Sequence, residues 1–158
     1  MLRRVEIGGL TVSSDPEDTL ISYALGSCLG LAIYDPLARI GGLIHSKVPM
    51  VRQARPEIGG GPATCVDQGA TMLLQALFDA GARKNRLIIY VAGCGNPVKA
   101  ITHDIGTRNY TVARKVLWKN GLFITAEDVG GEKPRTISLD IGTGEFCVSS
   151  RGERTQLS

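Results

Sequence analysis

The sequence predicts a single α+β domain built as a layered sandwich. Three observations lead there: short strand-length apolar runs dominate both ends of the chain, only two segments space their apolar residues helically, and no internal repeat is present. Strand and helix alternate only in the middle, which argues against a doubly wound α/β sheet. The chain has 158 residues, enough to bury about 68–70% of the surface that the unfolded form exposes, so a core needs no metal or disulfide staple.

Taken in order, Leu10 and Val12 precede the turn cluster Ser13-Ser14-Asp15-Pro16, and Thr19 to Ala24 read as the next strand. Leu25-Gly26-Ser27 leads into a strand from Cys28 to Tyr34, Asp35-Pro36-Leu37-Ala38 has turn chemistry, and a return strand runs from Arg39 to Val48. Residues 51–63, with Gly59-Gly60-Gly61-Pro62, read as a surface loop. A helix follows, with Thr64 and Asp67 at capping-box spacing, Val66, Ala70, Leu73, Leu74 and Leu77 on one face, and Gly81 as its stop. Leu87 to Ala92 is continuously apolar, as a strand buried on both faces requires. Asn109 stands where a cap of the second helix is expected, Val112, Ala113, Val116 and Leu117 form its stripe, and Gly121 ends it. Strands from Leu122 to Ala126, Thr136 to Ile141 and, after Gly142-Thr143-Gly144, Glu145 to Ser149 complete the reading. Residues 1–150 are expected to form the domain and 151–158 a polar, frayed tail.

Composition excludes several functions. The longest apolar runs fall far short of the ~20 residues of a membrane span. The opening Met-Leu-Arg-Arg lacks the apolar stretch of a secretory signal, so the expected location is the cytoplasm, with the four cysteines as thiols. No C-x-x-C pair occurs and there are only two histidines, so a structural zinc site is not expected. A net charge of +3 and 5% aromatic residues give no nucleic-acid surface. Arg83, Lys84 and Arg86 are the densest basic cluster, placed to complement a helix C-terminus.

Two reactive residues fall together on the first hairpin. A four-residue loop over 35–38 pairs Tyr34 with Arg39 and therefore Cys28 with His45, whose Cβ atoms would lie about 4.5–5.5 Å apart. A one-residue slip would instead send His45 to the other face. An adjacent imidazolium lowers a thiol pKa and makes Cys28 a nucleophile, and His45 then serves as base and acid in turn. Gly26 and Ser27 allow close backbone approach, with amides near Cys28 to hold an oxyanion. The competing pair is Cys94, in Gly93-Cys94-Gly95, with His103; Cys65 and Cys147 read as structural thiols.

The stretch Leu25-Gly26-Ser27-Cys28, followed by Asp35-Pro36, Gly41-Gly42-Leu43-Ile44-His45 and Pro49, resembles the CheD family of chemoreceptor glutamine deamidases. Ile105-Gly106-Thr107-Arg108-Asn109 and Ala126-Glu127-Asp128-Val129-Gly130-Gly131 resemble that family's later landmarks, in the same order, so the likeness spans residues 5–150. It implies an αββα sandwich and a cofactor-free cysteine hydrolase that converts receptor glutamines to glutamate through a thioester. Cys28 is then the nucleophile, His45 the acid and base, and Ser22 the third catalytic position, where the family usually has threonine. The implied partners are chemoreceptor helices and a CheC-type phosphatase. The chain departs from the family at Ala92-Gly93-Cys94-Gly95-Asn96-Pro97, where an apolar pair is replaced by a thiol-bearing loop. That departure keeps two other readings open: a regulatory binding module with little catalysis, and a thiol redox sensor using Cys94.

Overall fold

The computed structural model describes residues 1–51, 60–97 and 104–158. Most of the loop read over 51–63, and His103 of the competing pair, lie outside the described residues. The strands are β1 (Leu2–Arg4), β2 (Leu10–Ser13), β3 (Thr19–Leu25), β4 (Leu29–Asp35), β5 (Ile40–Ser46), β6 (Ile88–Gly93), β7 (Ala126–Val129), β8 (Arg135–Asp140), β9 (Phe146–Ser150) and β10 (Glu153–Leu157). The helices are α1 (Val66–Asp79) and α2 (Ile105–Lys119). Two five-stranded sheets form, ordered β2-β5-β4-β6-β7 and β1-β3-β8-β9-β10, so the class is α+β as expected.

Sequence pattern decides which sheet is central. Every residue of β4 and β5 is buried, as their unbroken apolar runs require. On β4, Leu29, Leu31 and Ile33 face a core shared with α1 and α2, whereas Ala32 and Tyr34 face a second core between the sheets. The stripe Val66, Ala70, Leu73, Leu74 and Leu77 is buried as its spacing predicted. Its Leu73 packs where a Cβ on Gly42 of β5 would stand, only 2.6 Å from Leu73 Cδ1. Both helices therefore cover one outer face. Among the described residues the two helices and the two sheets stack in layers, with both helices against the β2-β5-β4-β6-β7 sheet.

Several local expectations change for identifiable reasons. The N-cap of α1 is Cys65, with no side-chain cap; Thr64 lies before it, and Asp67 accepts a hydrogen bond from the Val51 amide. Helix α2 starts earlier than expected, capped by Asp104, which accepts the Thr107 amide, and this places Asn109 inside the helix. The strand read from Leu122 begins only at Ala126. Thr125 instead clips the preceding chain to β6, its amide donating to the Ile89 carbonyl and its hydroxyl accepting the Ile89 amide. Residues 153–157, expected to fray, pair with β9 as β10. Neither β1 nor β10 contributes a strongly buried face, so the apolar period that marks a strand is absent from both.

The basic cluster has a structural use. Asp35, fully buried at the end of β4, accepts hydrogen bonds from the Leu37, Ala38 and Arg83 amides and a bidentate pair from Arg86, with Nη2 to Oδ2 at 2.7 Å. Burial raises its pKa, but Arg86 and the three amides outweigh that and hold it at about 2. A depressed carboxylate pKa stabilises the fold above the unfolded value near 4 and ceases to do so as pH falls through about 2. Asp35→Ala is expected to cost about 3 kcal/mol, because it strands a guanidinium and three amides. Urea denaturation at pH 7 checks this, and an unchanged midpoint would refute it.

Candidate active site

Three strands deliver the predicted residues. In the β4–β5 hairpin, Asp35 pairs with Ile40 and Tyr34 with Gly41, so the loop is residues 36–39 and His45 stands across from Gly30 rather than Cys28. The register is thus two residues away from the expected one. The cause is local: the Asp35 carboxylate must stay inside to meet Arg86, and Arg39 takes the left-handed conformation, φ 53°, to close the loop. A slip of two preserves the face, unlike a slip of one. His45 therefore still points between the sheets, and Cys28 packs against the edge of that same inter-sheet core.

Ser22 comes from β3 of the opposing sheet and reaches His45 across the interface, Oγ to Nδ1 2.8 Å. The same hydroxyl donates to the Val5 carbonyl at 2.6 Å. A serine has one proton to give. Since it goes to Val5, Nδ1 must be the donor to Oγ, which fixes the neutral tautomer and leaves a lone pair on Nε2. Main-chain bonds hold the residue from the other side, the Gly8 amide donating to the His45 carbonyl at 2.7 Å. His45 is 1% exposed, and Nε2 has no hydrogen-bond partner among the described residues, the Cys28 thiol included.

Burial dominates both titrations. It lowers the His45 pKa to about 4, with the Glu6 charge opposing. It also raises the Cys28 thiol, with Lys47 and the Cys28 amide opposing. Burial therefore favours a neutral imidazole and a neutral thiol over the expected imidazolium beside a thiolate.

The loop before Cys28 is anchored by its carbonyls. Gly26, Ser27 and Cys28 accept from the Gly95 amide at 2.9 Å, the Asn109 side chain at 2.9 Å and the Cys94 amide at 2.8 Å. At Gly26 a Cβ would meet only Pro97 Cγ, at 3.4 Å, so no neighbouring group within the fold demands glycine there. Gly93 is the constrained glycine, with φ +93° and no room for a Cβ, which would strike the Cys28 carbonyl. Arg135 secures this second loop, donating to the Gly93 and Gly130 carbonyls and pairing with Asp128. Just upstream of the Cys28 loop, Ala24 takes φ 60° where β3 shifts register against β8, strain of the kind found beside functional sites.

The other thiols separate by environment. Cys94, also left-handed at φ 53°, is 4% exposed, and burial pushes it up to about 12, so it is a poor nucleophile at neutral pH. Cys65 and Cys147 are buried as expected, and Cys28 alone is partly exposed. The sequence reading missed Asn109 and Arg135. Asn109 was detectable: it lies four and eight residues before Ala113 and Leu117, on the buried stripe, where an amide is out of place. A groove of about 690 Å³ is lined by Tyr110, Arg114, Trp118 and Phe123 and includes none of the three site residues.

The chain resembles known proteins in sequence and in fold. A family model described as CheD chemotactic sensory transduction matches residues 49–150. "Probable chemoreceptor glutamine deamidase CheD" of Solibacter usitatus (strain Ellin6076) is 38% identical over 156 residues, covering 97% of this chain and 91% of that protein. "Probable chemoreceptor glutamine deamidase CheD 1" of Syntrophus aciditrophicus (strain SB) is 39% identical over 150 residues, covering 94% and 93%. Among solved structures, Bacillus licheniformis hypothetical protein YfiH aligns with a TM-score of 0.47 at 13% identity, over 76% of this chain and 49% of that one.

Proposed function

The chain belongs to the CheD family, and we propose that it is a cytoplasmic cysteine hydrolase that converts selected chemoreceptor glutamines to glutamate. The observation that carries this reading is the orientation of His45. Ser22 holds its Nδ1 at 2.8 Å, and the unpartnered Nε2 lies on the sheet face whose edge carries the partly exposed Cys28 thiol.

In the proposed reaction, Cys28 Sγ attacks the glutamine carboxamide carbon as its proton passes to His45 Nε2, and the carbonyl pair becomes an oxyanion. Amides of the Gly26–Cys28 loop, including that of Ser27, receive this oxyanion; the bonds made by the three carbonyls fix those peptide planes in advance. Nε2 returns the proton to the departing nitrogen, ammonia leaves, and a thioester remains. Water then attacks the thioester as Nε2 takes its proton, and the C–S bond breaks to release glutamate and restore the thiol. The sum is carboxamide plus water giving carboxylic acid plus ammonia, and no cofactor enters.

The test is incubation with the cytoplasmic fragment of a receptor, followed by peptide mass spectrometry. Conversion of glutamine to glutamate at discrete positions is expected. A wild-type protein that converts none while still capturing the fragment, or a CheC-type phosphatase, would replace this reading with that of a regulatory binding module.

A further inference from the structure

We infer that Asn109 is a positioning residue for Cys28: from inside α2 it ties the loop before the nucleophile to the loop after His45. The inference rests on the cysteine-hydrolase reading for its meaning, although its geometry stands apart from it. The Asn109 Nδ2 donates to the Ser27 carbonyl at 2.9 Å and to the Lys47 carbonyl at 3.2 Å. Ser27 directly precedes Cys28, and Lys47 lies two residues beyond His45. With Leu29 paired to Ser46 at the last rung of the β4–β5 ladder, one side chain bridges the two strand extensions just past the point where regular pairing ends. Both partners are carbonyls, so the amide orientation is dictated by the bonds themselves.

A purely structural explanation does not account for this residue. Asn109 is 0% exposed on the apolar stripe of a helix, and its Oδ1 is buried with no hydrogen-bond partner among the described residues. An unpaired buried acceptor lowers stability, and asparagine is a mediocre helix former, so a leucine would serve packing better. What leucine cannot supply is two N–H donors to two backbone carbonyls. The approach of α2 is itself specified: a Cβ on Gly106 would strike the Cys94 and Gly95 carbonyls, so that glycine lets the helix sit close enough for Asn109 to reach. Local cost retained in return for a fixed backbone is the pattern expected at a reaction site.

The test compares wild type with Asn109→Leu, which removes both donors at similar volume, and with Asn109→Asp, isosteric but short of donors, in case the first does not fold. Alkylation by iodoacetamide, resolved at each cysteine by peptide mass spectrometry across pH 6–10, reads the loop without any receptor. Releasing it is expected to raise Cys28 alkylation about five-fold or more and to move its apparent pKa down toward that of a free thiol, with Cys65, Cys94 and Cys147 unchanged. Receptor-fragment deamidation should meanwhile lose about 30-fold in kcat with KM within about three-fold, a change seen only in the reacting geometry. An unchanged Cys28 profile in a folded variant, or a rise at all four cysteines together, overturns the inference. If wild type deamidates nothing, the hydrolase reading fails, and the alkylation profile still decides the role of Asn109.

Discussion

Cys28→Ala is expected to abolish conversion of receptor glutamine to glutamate, by a factor on the order of 10³ or more, with little change in stability. The size follows from the chemistry. Without a nucleophile no thioester forms, and what persists is whatever binding and the loop amides give to direct attack by water. Stability is spared because Cys28 lies outside the regular strands, is only partly buried and donates no side-chain bond that the fold needs. The loop is held by its carbonyls, which alanine keeps. Cys147→Ala is the matched control: it removes a buried sulfur from β9 on the far sheet and is expected to leave the rate within about two-fold. Initial rates on the same receptor fragment, read by mass spectrometry, decide the matter. Residual Cys28→Ala activity above about one hundredth of wild type would mean that another group attacks, and the buried, high-pKa Cys94 is badly placed to be that group.

That Cys28 and His45 share a face was legible in the sequence for a reason sturdier than the exact register. The four-residue loop was set one position too early, which moved the register by two residues, yet Cys28 and His45 kept a common face because strand side chains alternate with period two. The α1 stripe and the buried β4, β5 and β6 were legible because their apolar spacing is itself the physical cause of their burial. Ser22 was not. It approaches His45 from the other sheet, and no hairpin rule relates β3 to β5, so only the family resemblance pointed to it. Asn109 was read as a cap because asparagine prefers caps, whereas Asp104 does that work and the amide faces inward. The edge strands β1 and β10 were invisible because main-chain pairing at a sheet edge leaves no apolar period in the sequence. Cys94 could be judged only with the fold in hand, since its αL backbone and its burial both depend on distant contacts with the Cys28 loop and α2.

His45→Ala is expected to lower kcat/KM by about 10²–10⁴, the usual worth of a positioned acid and base, and to change the shape of its pH dependence. In wild type the imidazole is neutral down to about pH 4. The rate should therefore hold a plateau from about pH 5 to about pH 8, because base and thiol already stand in the states the reaction needs. An acid limb near the ordinary histidine pKa of about 6.5 would instead signal an exposed or ion-paired imidazole and contradict the neutral pair. Without His45 the thiol must ionise unaided, and burial raises its pKa, so the variant's rate should climb about ten-fold per pH unit toward alkaline solution. Ser22→Ala should fall between the two: it frees the ring to turn but leaves Nε2 basic, for a loss of about ten-fold with the wild-type plateau kept. The same depressed pKa is visible in stability. Between about pH 6.5 and 4 the unfolded chain binds a proton that folded His45 refuses, so this residue's effect leaves stability highest above pH 6.5 and erodes it as pH falls through that window. His45→Ala removes that slope, and denaturation midpoints at pH 7 and pH 5 should then converge relative to wild type. A single buried imidazole thus links catalysis and acid sensitivity, and a variant that lost the activity but kept the wild-type slope would place the titration on some other group.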